Sequence, residues 1–289
     1  MKKFLLTAIL FAAAISGSCS KDDGDNGNSP ALPSLPNPND VCSCMTNTSF
    51  IKYCYENFDL NGDGAISKTE AAAVISIGFS LSAVGDNPAP LTGIEYFPNI
   101  QEIRIYSEFL QSKVDIDLRH NKKLQYISLN LHPSGEGEIS AYIPETYEGN
   151  KRSDVGLTYC SQIYGKHASS DHRCWIVDGK LTDAASHGLT TYTIPDNVTT
   201  IGNWAFSYCK SLESVTIPKN VASIESGAFS NGSRNGLTLY CKPTTPPKFI
   251  SNFFSTYIAK IHVPQASVEA YKSADGWSEY ADKIEGYDF

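Results

Sequence analysis

The chain has 289 residues, with 31 acidic and 23 basic side chains and a formal net charge of −8 at pH 7. A chain this acidic is poorly suited to bind nucleic acid, because the phosphate backbone attracts clusters of Lys and Arg. The length allows one large hydrophobic core or an array of stacked repeats. Composition therefore argues against a nucleic-acid-binding protein.

Residues 1–18 are predicted to be a secretory signal. Two lysines begin it, and the apolar run at 4–15 is too short to span a bilayer as a mature helix. The small residues "SGSC" follow and resemble the lipobox of bacterial lipoproteins, which places lipid on the cysteine. The resemblance implies lipidation of Cys19, although Ser16 stands where the lipobox prefers Leu.

Residues 19–40 are predicted to be a flexible tether. The stretch "SKDDGDNGNSPALPSLPNPND" is rich in Asp, Asn, Ser, Gly and Pro, and so it cannot bury a core. An acidic run directly after the lipidated cysteine resembles the surface-export signal of Bacteroidota lipoproteins. This implies an outer-membrane lipoprotein exposed at the cell surface, whereas an ordinary linker would leave it facing the periplasm. The lipid anchor would be its only contact with a membrane.

Residues 41–78 are predicted to be a helical cap around one calcium loop, "DLNGDGAISKTE" at 59–70. The spacing is that of an EF-hand, in which short oxygen side chains curl around a hard cation and a final Glu supplies two oxygens. Gly64 permits the central turn, and Ile66 is the apolar residue through which EF-hand loops pair. Six residues are the predicted Ca²⁺ ligands, and Ala65 would bind through its backbone carbonyl. They are Asp59, Asn61, Asp63, Ala65, Ser67 and Glu70.

Calcium is expected to be structural here. EF-hand sensors open a pair of helices to expose an apolar groove, but the sequence contains no second loop of this spacing. The exiting helix is also short, since "EAAA" leads into "VISIGFS", whose β-branched alternation favours a strand. We therefore expect a structural clip with a dissociation constant on the order of 10⁻⁶ to 10⁻³ M.

Two pairs of stretches further along the chain are internal repeats. "TYTIPDNVTTIGNWAF" at 191–206 and "SVTIPKNVASIESGAF" at 214–229 match at a constant offset of 23 residues. "IQEIRI" at 100–105 and "LQYISL" at 124–129 are offset by 24. Fixed periods of this size predict a solenoid, because stacking neighbours bury the apolar stripe that one repeat cannot bury alone.

The run "TIPDNVTTIGNWAFSYCKSLESVTIPKNVASIESGAF" resembles the BspA-like leucine-rich repeats of bacterial surface proteins. "IHVPQASVEAYKSADGWSEYADKI" resembles the closing segment of that family, and "LTGIEYFPNIQEIRI" resembles another bacterial leucine-rich type. The resemblance implies an α+β repeat protein, a leucine-rich-repeat β-solenoid of short parallel strands over 79–289 with a small helical EF-hand cap. We expect that cap to cover the first repeat, with Trp277 and Tyr280 packing over the last one.

Residues 130–175 are predicted to interrupt the repeats as an insert, because "LHPSGEGEIS" and "PETYEGNKRSD" have the composition of loops. A hairpin is expected just after it, around Asp178-Gly179. The insert also contains residue types that bind metals, but their spacing matches no zinc pattern, so a polar loop is favoured. These residues are Cys160, His167, Asp171, His172 and Cys174.

Seven cysteines remain beside Cys19, which is an odd number for an exported protein in which disulfides are permitted. The candidate bridges join Cys54 to Cys42 or Cys44, and Cys160 to Cys174. The sequence alone leaves this connectivity open.

No enzyme is predicted, because the chain lacks a nucleophile elbow, a phosphate-cradling glycine loop and an HExxH motif. The resemblance implies a cell-surface adhesion protein that binds host or matrix proteins. A second hypothesis is a glycan-binding accessory lipoprotein, and a third is an extracellular hydrolase with convergent acids or a His–acid pair in a pocket. The tyrosines that would stack on a glycan, unless they pack internally, are Tyr142, Tyr147, Tyr159 and Tyr164.

Overall fold

The computed structural model describes residues 32, 34–80, 91–110, 113–133, 137–149, 155–157, 159–230, 232–233, 236–250 and 257–289. Leu32–Phe289 forms one compact unit. The predicted signal, the lipidation site Cys19 and the first part of the predicted tether lie outside the described residues. Of the helices in the described ranges, none is both long enough and apolar enough to cross a membrane.

The described chain begins with a small helical region and continues almost entirely as short strands. The α-helices are α1 (Thr48–Phe58), α2 (Lys68–Ala73) and α3 (Val268–Ser273). Short 3-10 helices cover Val41–Cys44, Ile94–Tyr96, Gln265–Ser267 and Trp277–Lys283. The strands are β1 (Ser76–Ser80), β2 (Glu102–Leu110), β3 (Val114–Asp117), β4 (Tyr126–Pro133), β5 (Ile139–Tyr142), β6 (Val155–Gly156), β7 (Gln162–Tyr164), β8 (Cys174–Val177), β9 (Lys180–Ala184), β10 (Thr191–Thr193), β11 (Thr200–Ile201), β12 (Ser214–Ile217), β13 (Ser223–Ile224), β14 (Leu237–Cys241), β15 (Lys248–Phe249), β16 (Ile258–Pro264) and β17 (Ile284–Tyr287).

These strands wind into a β-solenoid of about seven turns. In the N-terminal half, sheet A has the order β1-β2-β4-β6 and sheet B the order β3-β5-β7. In the C-terminal half, sheet C has the order β15-β13-β11-β9-β8 and sheet D the order β10-β12-β14-β16-β17. Neighbouring strands are parallel and come from successive turns, apart from the antiparallel pair β8–β9.

The strand register confirms the predicted repeat period. Tyr192 lies opposite Val215, and Val215 lies opposite Leu239 in the next turn. In the other half, Ile103 lies opposite Ile127. Each of these side chains points inward and is buried, so the stacked turns build one continuous apolar ladder in each half.

The hairpin β8–β9 separates the cores of the two halves. Strand β8 is buried on both faces. Trp175 packs into the N-terminal core, whereas Cys174 and Ile176 pack into the C-terminal core, because successive side chains of a strand point to opposite faces. The turn residues Asp178 and Gly179 have φ values of 48° and 77°, as a two-residue hairpin turn of this kind requires. The predicted hairpin is therefore present.

The solenoid continues through the range that the sequence predicted as an insert. Strand β5 pairs with β3 and β7, and β6 pairs with β4. Ile139, Ala141 and Ile163 supply the buried inner positions. The described residues within 130–175 therefore do not interrupt the winding.

Candidate functional site

The EF-hand-like loop lies between α1 and α2. Helix α1 ends at Phe58, and α2 begins at Lys68. Ser67 caps α2, and its hydroxyl accepts a hydrogen bond from the Glu70 N–H in a reciprocal capping box. The predicted ligands thus fall in one helix–loop–helix segment, the arrangement that an EF-hand needs.

Backbone amides of the loop bind its side-chain oxygens. The Asp59 carboxylate accepts a hydrogen bond from the Gly64 N–H at 3.0 Å. Asn61 Oδ1 accepts from the Asp63 N–H at 2.8 Å, and Asp63 Oδ1 accepts from the Ala65 N–H at 2.9 Å. Gly64 has a φ of 81°, in the left-handed region that glycine adopts without strain. These contacts curl the loop around its own polar side chains.

Glu70 reaches back from α2 to the start of the loop. Its Oε1 accepts a hydrogen bond from the Leu60 N–H at 2.9 Å. Its Oε2 accepts from the Ser67 N–H at 2.9 Å and from the Ser67 hydroxyl at 2.8 Å. The hydrogen bonds from Ser67 contribute most to keeping the pKa of Glu70 below its ordinary value. The carboxylate is therefore ionised at neutral pH and ties the two ends of the loop together.

The three acids of the loop do not converge on one point in this conformation. Across the described part of the chain, no three His, Cys, Asp or Glu side chains are grouped closely enough to hold a metal ion. The predicted ligand set nevertheless has the donor chemistry that Ca²⁺ prefers, since it adds amide, carbonyl and hydroxyl oxygens to the carboxylates. Binding requires Glu70 to exchange some of its amide hydrogen bonds for the cation.

The apolar position of the loop pairs with the segment that precedes α1. The Ile66 carbonyl accepts a hydrogen bond from the Val41 N–H at 2.8 Å, and the Ile66 N–H donates to Asp40 Oδ1 at 3.1 Å. Asp40 also accepts from the Cys42 N–H at 2.9 Å and from the Tyr55 hydroxyl at 2.7 Å. Asp40 and Val41 thus connect the loop to the segment that precedes α1.

The predicted boundary between tether and cap, after residue 40, falls inside this packed region. Leu35 packs against the N-terminal core, and the Asn37 N–H donates to Ser43 Oγ at 3.0 Å. Asp40 itself is buried. The last residues assigned to the tether therefore belong to the cap, because a few polar side chains that bond to backbone amides are enough to order them.

The cap covers strand β1, which has β2 as its strand neighbour in sheet A. The rings of Phe50 and Tyr53 stack on Phe79, with centroid distances of 5.1 Å and 5.4 Å. The Tyr53 hydroxyl accepts a hydrogen bond from the Gly78 N–H at 3.2 Å. Helix α1 thereby satisfies part of the sheet edge that β1 would otherwise expose.

The outer face of sheet A forms an open depression of about 460 Å³ beside the cap. Arg104 lies over the Tyr126 ring, 4.7 Å from its centroid, and forms an ion pair with Glu102. A second depression lies between α1 and β1 and shares Phe79 and Ser80 with the first. The outward residues of the first depression are Gly78, Ser80, Arg104, Tyr106, Ser128 and Asn130. We call this surface the sheet A face.

The four tyrosines considered for glycan stacking do not form one cluster. Tyr147 is buried in the N-terminal core. Tyr142 and Tyr164 stack on each other on the outer side of sheet B, with centroids 4.6 Å apart. Tyr159 is half-buried, and its ring centroid lies 6.0 Å from that of Tyr208. Packing therefore accounts for much of this set.

The metal-binding residue types near the end of the predicted insert also diverge. His167 Nε2 lies 3.1 Å from a carboxylate oxygen of Glu148, and Asp171 accepts a hydrogen bond from the Ser169 hydroxyl. Glu148 is largely exposed, so this His–acid pair does not lie in the pocket that a hydrolase would need. The geometry fits the polar-loop interpretation.

The seven cysteines within the described ranges form no disulfide with one another. Cys160 packs in the N-terminal core and Cys174 in the C-terminal core, so no bridge joins them. Burial raises the pKa of both thiols above its ordinary value. The Cys42 and Cys54 side chains share a hydrogen bond in the cap, which together with burial raises the pKa of Cys54.

Sequence reasoning missed two exposed aromatic residues, Trp204 and Tyr208, in the turn between β11 and β12. Their side chains are 44% and 42% exposed, and their φ values are 58° and 64°. The signal that could have found them is in the aligned repeats. At the offset of 23 residues, Gly227 and Asn231 occupy the equivalent positions.

Residues 184–274 match the family model of the BspA-type leucine-rich-repeat region, in six copies. No curated protein matches the sequence. Repeats of this kind generally mediate protein–protein interaction, in scaffolds that are typically not enzymes and are commonly surface-located or secreted. The part of the solenoid from the end of β9 to α3 is thus similar to the BspA-type leucine-rich-repeat region.

Proposed function

We propose that this protein is a cell-surface adhesion scaffold that binds a host or matrix protein. The sheet A face is the observation that supports this proposal. It combines a rigid parallel sheet with an outward Arg and Tyr, two of the residue types that are enriched at the energetic centres of protein interfaces. Arg104 and Tyr106 are held on adjacent outward positions of β2.

The size and charge of the surface also fit a protein partner. The depression between α1 and β1 extends the sheet A face, since both are lined by Phe79 and Ser80. The charges along it are mixed: Lys52 pairs with Glu56 on α1, and Arg104 pairs with Glu102 on β2. Mixed, locally paired charges suit complementarity with a protein rather than with a polyanion.

We propose that the loop at 59–70 binds one Ca²⁺ as a structural clip for the cap. Asp59, Asp63 and Glu70 would supply carboxylate oxygens, and the remaining oxygens would come from Asn61, Ala65 and Ser67. When bound, the ion supplies a positive charge that offsets repulsion among the three acids. The loop is tied to Asp40 through Ile66, so fixing it also fixes the segment that covers β1. Calcium would then stabilise the border of the sheet A face without touching a ligand there.

We also propose that lipid on Cys19 anchors the protein in the outer membrane, with the solenoid outside the cell. The support is the short apolar run and the acidic tether in the sequence. Labelling cells with a fatty-acid analogue should mark the wild-type protein but not the Cys19→Ser variant. Protease added to intact cells should remove the solenoid, whereas a periplasmic orientation would protect it.

The binding proposal is tested with residues 20–289, which retain the whole compact unit Leu32–Phe289, against immobilised matrix proteins. We expect Arg104→Ala to weaken binding at least tenfold. The matched control is Arg119→Ala, because Arg119 also covers a tyrosine ring, that of Tyr142 at 5.2 Å, and pairs with an acid two residues away. Equal affinity of the two variants would refute the assignment of the sheet A face, and the absence of binding to any matrix protein would refute the partner class.

A further inference from the structure

We infer that Trp204 and Tyr208 form a stacking site for a neutral carbohydrate, separate from the sheet A face. Both side chains lie in the turn between β11 and β12, in the BspA-type repeats. Each exposes more than two fifths of its surface. We call the pair, together with the adjoining ring of Tyr159, the Trp204 site. This inference does not depend on the proposed protein-binding function.

The backbone of the two residues is strained. Both have positive φ values, 58° for Trp204 and 64° for Tyr208. A bulky residue is an outlier in this left-handed region, because its Cβ crowds the neighbouring backbone. Such residues persist where the surrounding structure imposes the conformation, and they concentrate at binding and catalytic sites.

The neighbouring repeat shows that folding does not require these aromatic rings. Gly227, at the position equivalent to Trp204, has a φ of 65°, so the repeat needs the left-handed conformation and glycine provides it without strain. The residue equivalent to Tyr208 in the sequence is Asn231, so an aromatic side chain is not a fixed feature of the repeat. The two aromatic rings also remain outside the core. Contact with a ligand therefore explains them better than stability does.

The Trp204 ring packs against Gly227 in the next repeat. A Cβ placed on Gly227 would lie 3.0 Å from Cδ2 and 3.1 Å from Cε2 of the indole, so the ring packs closely against the position that glycine leaves open. The Trp204 N–H donates to the Ser226 carbonyl and the Tyr208 N–H to the Ser230 carbonyl, each at 3.3 Å. A platform fixed in this way loses little conformational freedom on binding.

Polar groups adjoin the platform. The Asn203 N–H donates to a Glu225 carboxylate oxygen at 3.0 Å. The same carboxylate forms an ion pair with Lys180 at 2.7 Å. An ion pair of a carboxylate and an ammonium group therefore lies next to the backbone of Trp204 and holds this turn in place.

The exposed area of the platform favours a sugar over a protein. An aromatic side chain presents about 150–250 Å² in total. Because less than half of each is exposed, the two rings together offer on the order of 200 Å², compared with about 800 Å² per partner in a standard protein interface. One face of a pyranose ring is a flat patch of C–H groups of matching size, and the electron-rich face of an aromatic ring attracts such groups.

Tryptophan fluorescence provides a direct test, because the chain has three tryptophans and the other two, Trp175 and Trp277, are fully buried. Residues 20–289 are titrated with soluble β-glucan, xylan, α-glucan and mannan, and acrylamide quenching is measured. We expect at least one polysaccharide to shield Trp204 from acrylamide and to retard the protein in an affinity gel. Shielding by a protein ligand but by no polysaccharide would overturn the sugar assignment, and so would the absence of any shielding.

Three variants make the test specific. Tyr208→Ala should reduce the retardation at least tenfold, whereas Tyr287→Ala, which removes an equally exposed tyrosine from β17, should not change it. Trp204→Gly installs the residue of the neighbouring repeat and should abolish polysaccharide binding while the melting temperature stays within about 3 °C of wild type. Full binding by Trp204→Gly or by Tyr208→Ala would refute the proposal, and the melting temperature excludes misfolding as the cause of a loss.

Discussion

The two ends of the solenoid close the same kind of exposed edge with different chemistry. At the C-terminal end, Tyr271 of α3 and Trp277 of the following 3-10 helix are fully buried. The Tyr271 hydroxyl donates to the Pro243 carbonyl at 2.9 Å, and Trp277 Nε1–H donates to the Pro247 carbonyl at 2.8 Å. At the N-terminal end, hydrogen bonds to Asp40, Asp59 and Glu70 hold the cap together.

This difference determines how each end responds to solution conditions. Burial raises the pKa of Tyr271 above its ordinary value, so this side chain stays uncharged near neutral pH. The N-terminal cap depends on ionised carboxylates and, in our proposal, on Ca²⁺. The C-terminal end should therefore be insensitive to calcium, whereas the N-terminal end should respond to calcium removal.

The largest effect should come from the aromatic cap. Trp277→Ala removes a fully buried ring and its hydrogen bond, and we expect it to lower the free energy of unfolding by about 3–5 kcal/mol. Denaturant unfolding should give the same loss in calcium and in EDTA. Tyr287→Ala, at an exposed tyrosine, serves as the control. If the stability lost in Trp277→Ala depended on calcium, the two ends would not differ in the way proposed.

Calcium removal should have the next largest effect. For a dissociation constant on the order of 10⁻⁵ M, about 1 mM calcium stabilises the folded state by about 2.7 kcal/mol. Thermal melts with and without EDTA should show this difference for the wild type and for Glu279→Gln, which alters an exposed acid of the C-terminal cap. Glu70→Gln should reduce the difference strongly. If Glu70→Gln responds like the wild type, the loop is not the site.

Loss of the Asp40 carboxylate should cost less. Asp40→Ala leaves the Ile66 and Cys42 amides and the Tyr55 hydroxyl without their acceptor, which we expect to cost about 1–3 kcal/mol of unfolding free energy. Asp196→Ala, on an exposed turn of the C-terminal half, is the control. Equal melting temperatures for the two variants would show that Asp40 does not join the loop to the cap.

The smallest effect should be the acid response of Glu70. Its folded pKa lies below the ordinary value of 4.5, so its stabilising contribution is present above that value and is lost as the pH falls through the folded pKa. In EDTA, the melting temperature should therefore fall more steeply between neutral and acidic pH for the wild type than for Glu70→Gln. Parallel curves would contradict this, because the other acids are common to both proteins.

Features that repeat along the chain could be predicted from the sequence. The period of 23 to 24 residues predicted the register that places Tyr192 opposite Val215, and the loop spacing predicted a helix–loop–helix at 59–70. The turns within 130–175 were missed because strands of two to four residues carry too short an apolar pattern. Their inner positions, such as Ala141, become apparent only through the neighbouring turns that bury them.

Contacts between residues far apart in the chain, and local backbone conformations, could not be predicted from the sequence. The pairing of Ile66 with Asp40 joins residues 26 apart through one side chain, and no periodicity signals such a contact. The left-handed backbone of Trp204 is imposed by the ladder of the repeat, not by its own propensity. The aligned repeats show that Trp204 replaces a glycine, but the left-handed backbone at both positions becomes known only from the φ values in the structure.

Hydrogen–deuterium exchange of residues 20–289, measured in calcium and in EDTA, tests the contrast between the two ends most directly. We predict that EDTA lowers amide protection in 41–80, with the largest change at 59–70, and leaves 258–287 unchanged. A uniform change along the chain, or no change at 59–70, would contradict the assignment of calcium to the N-terminal cap.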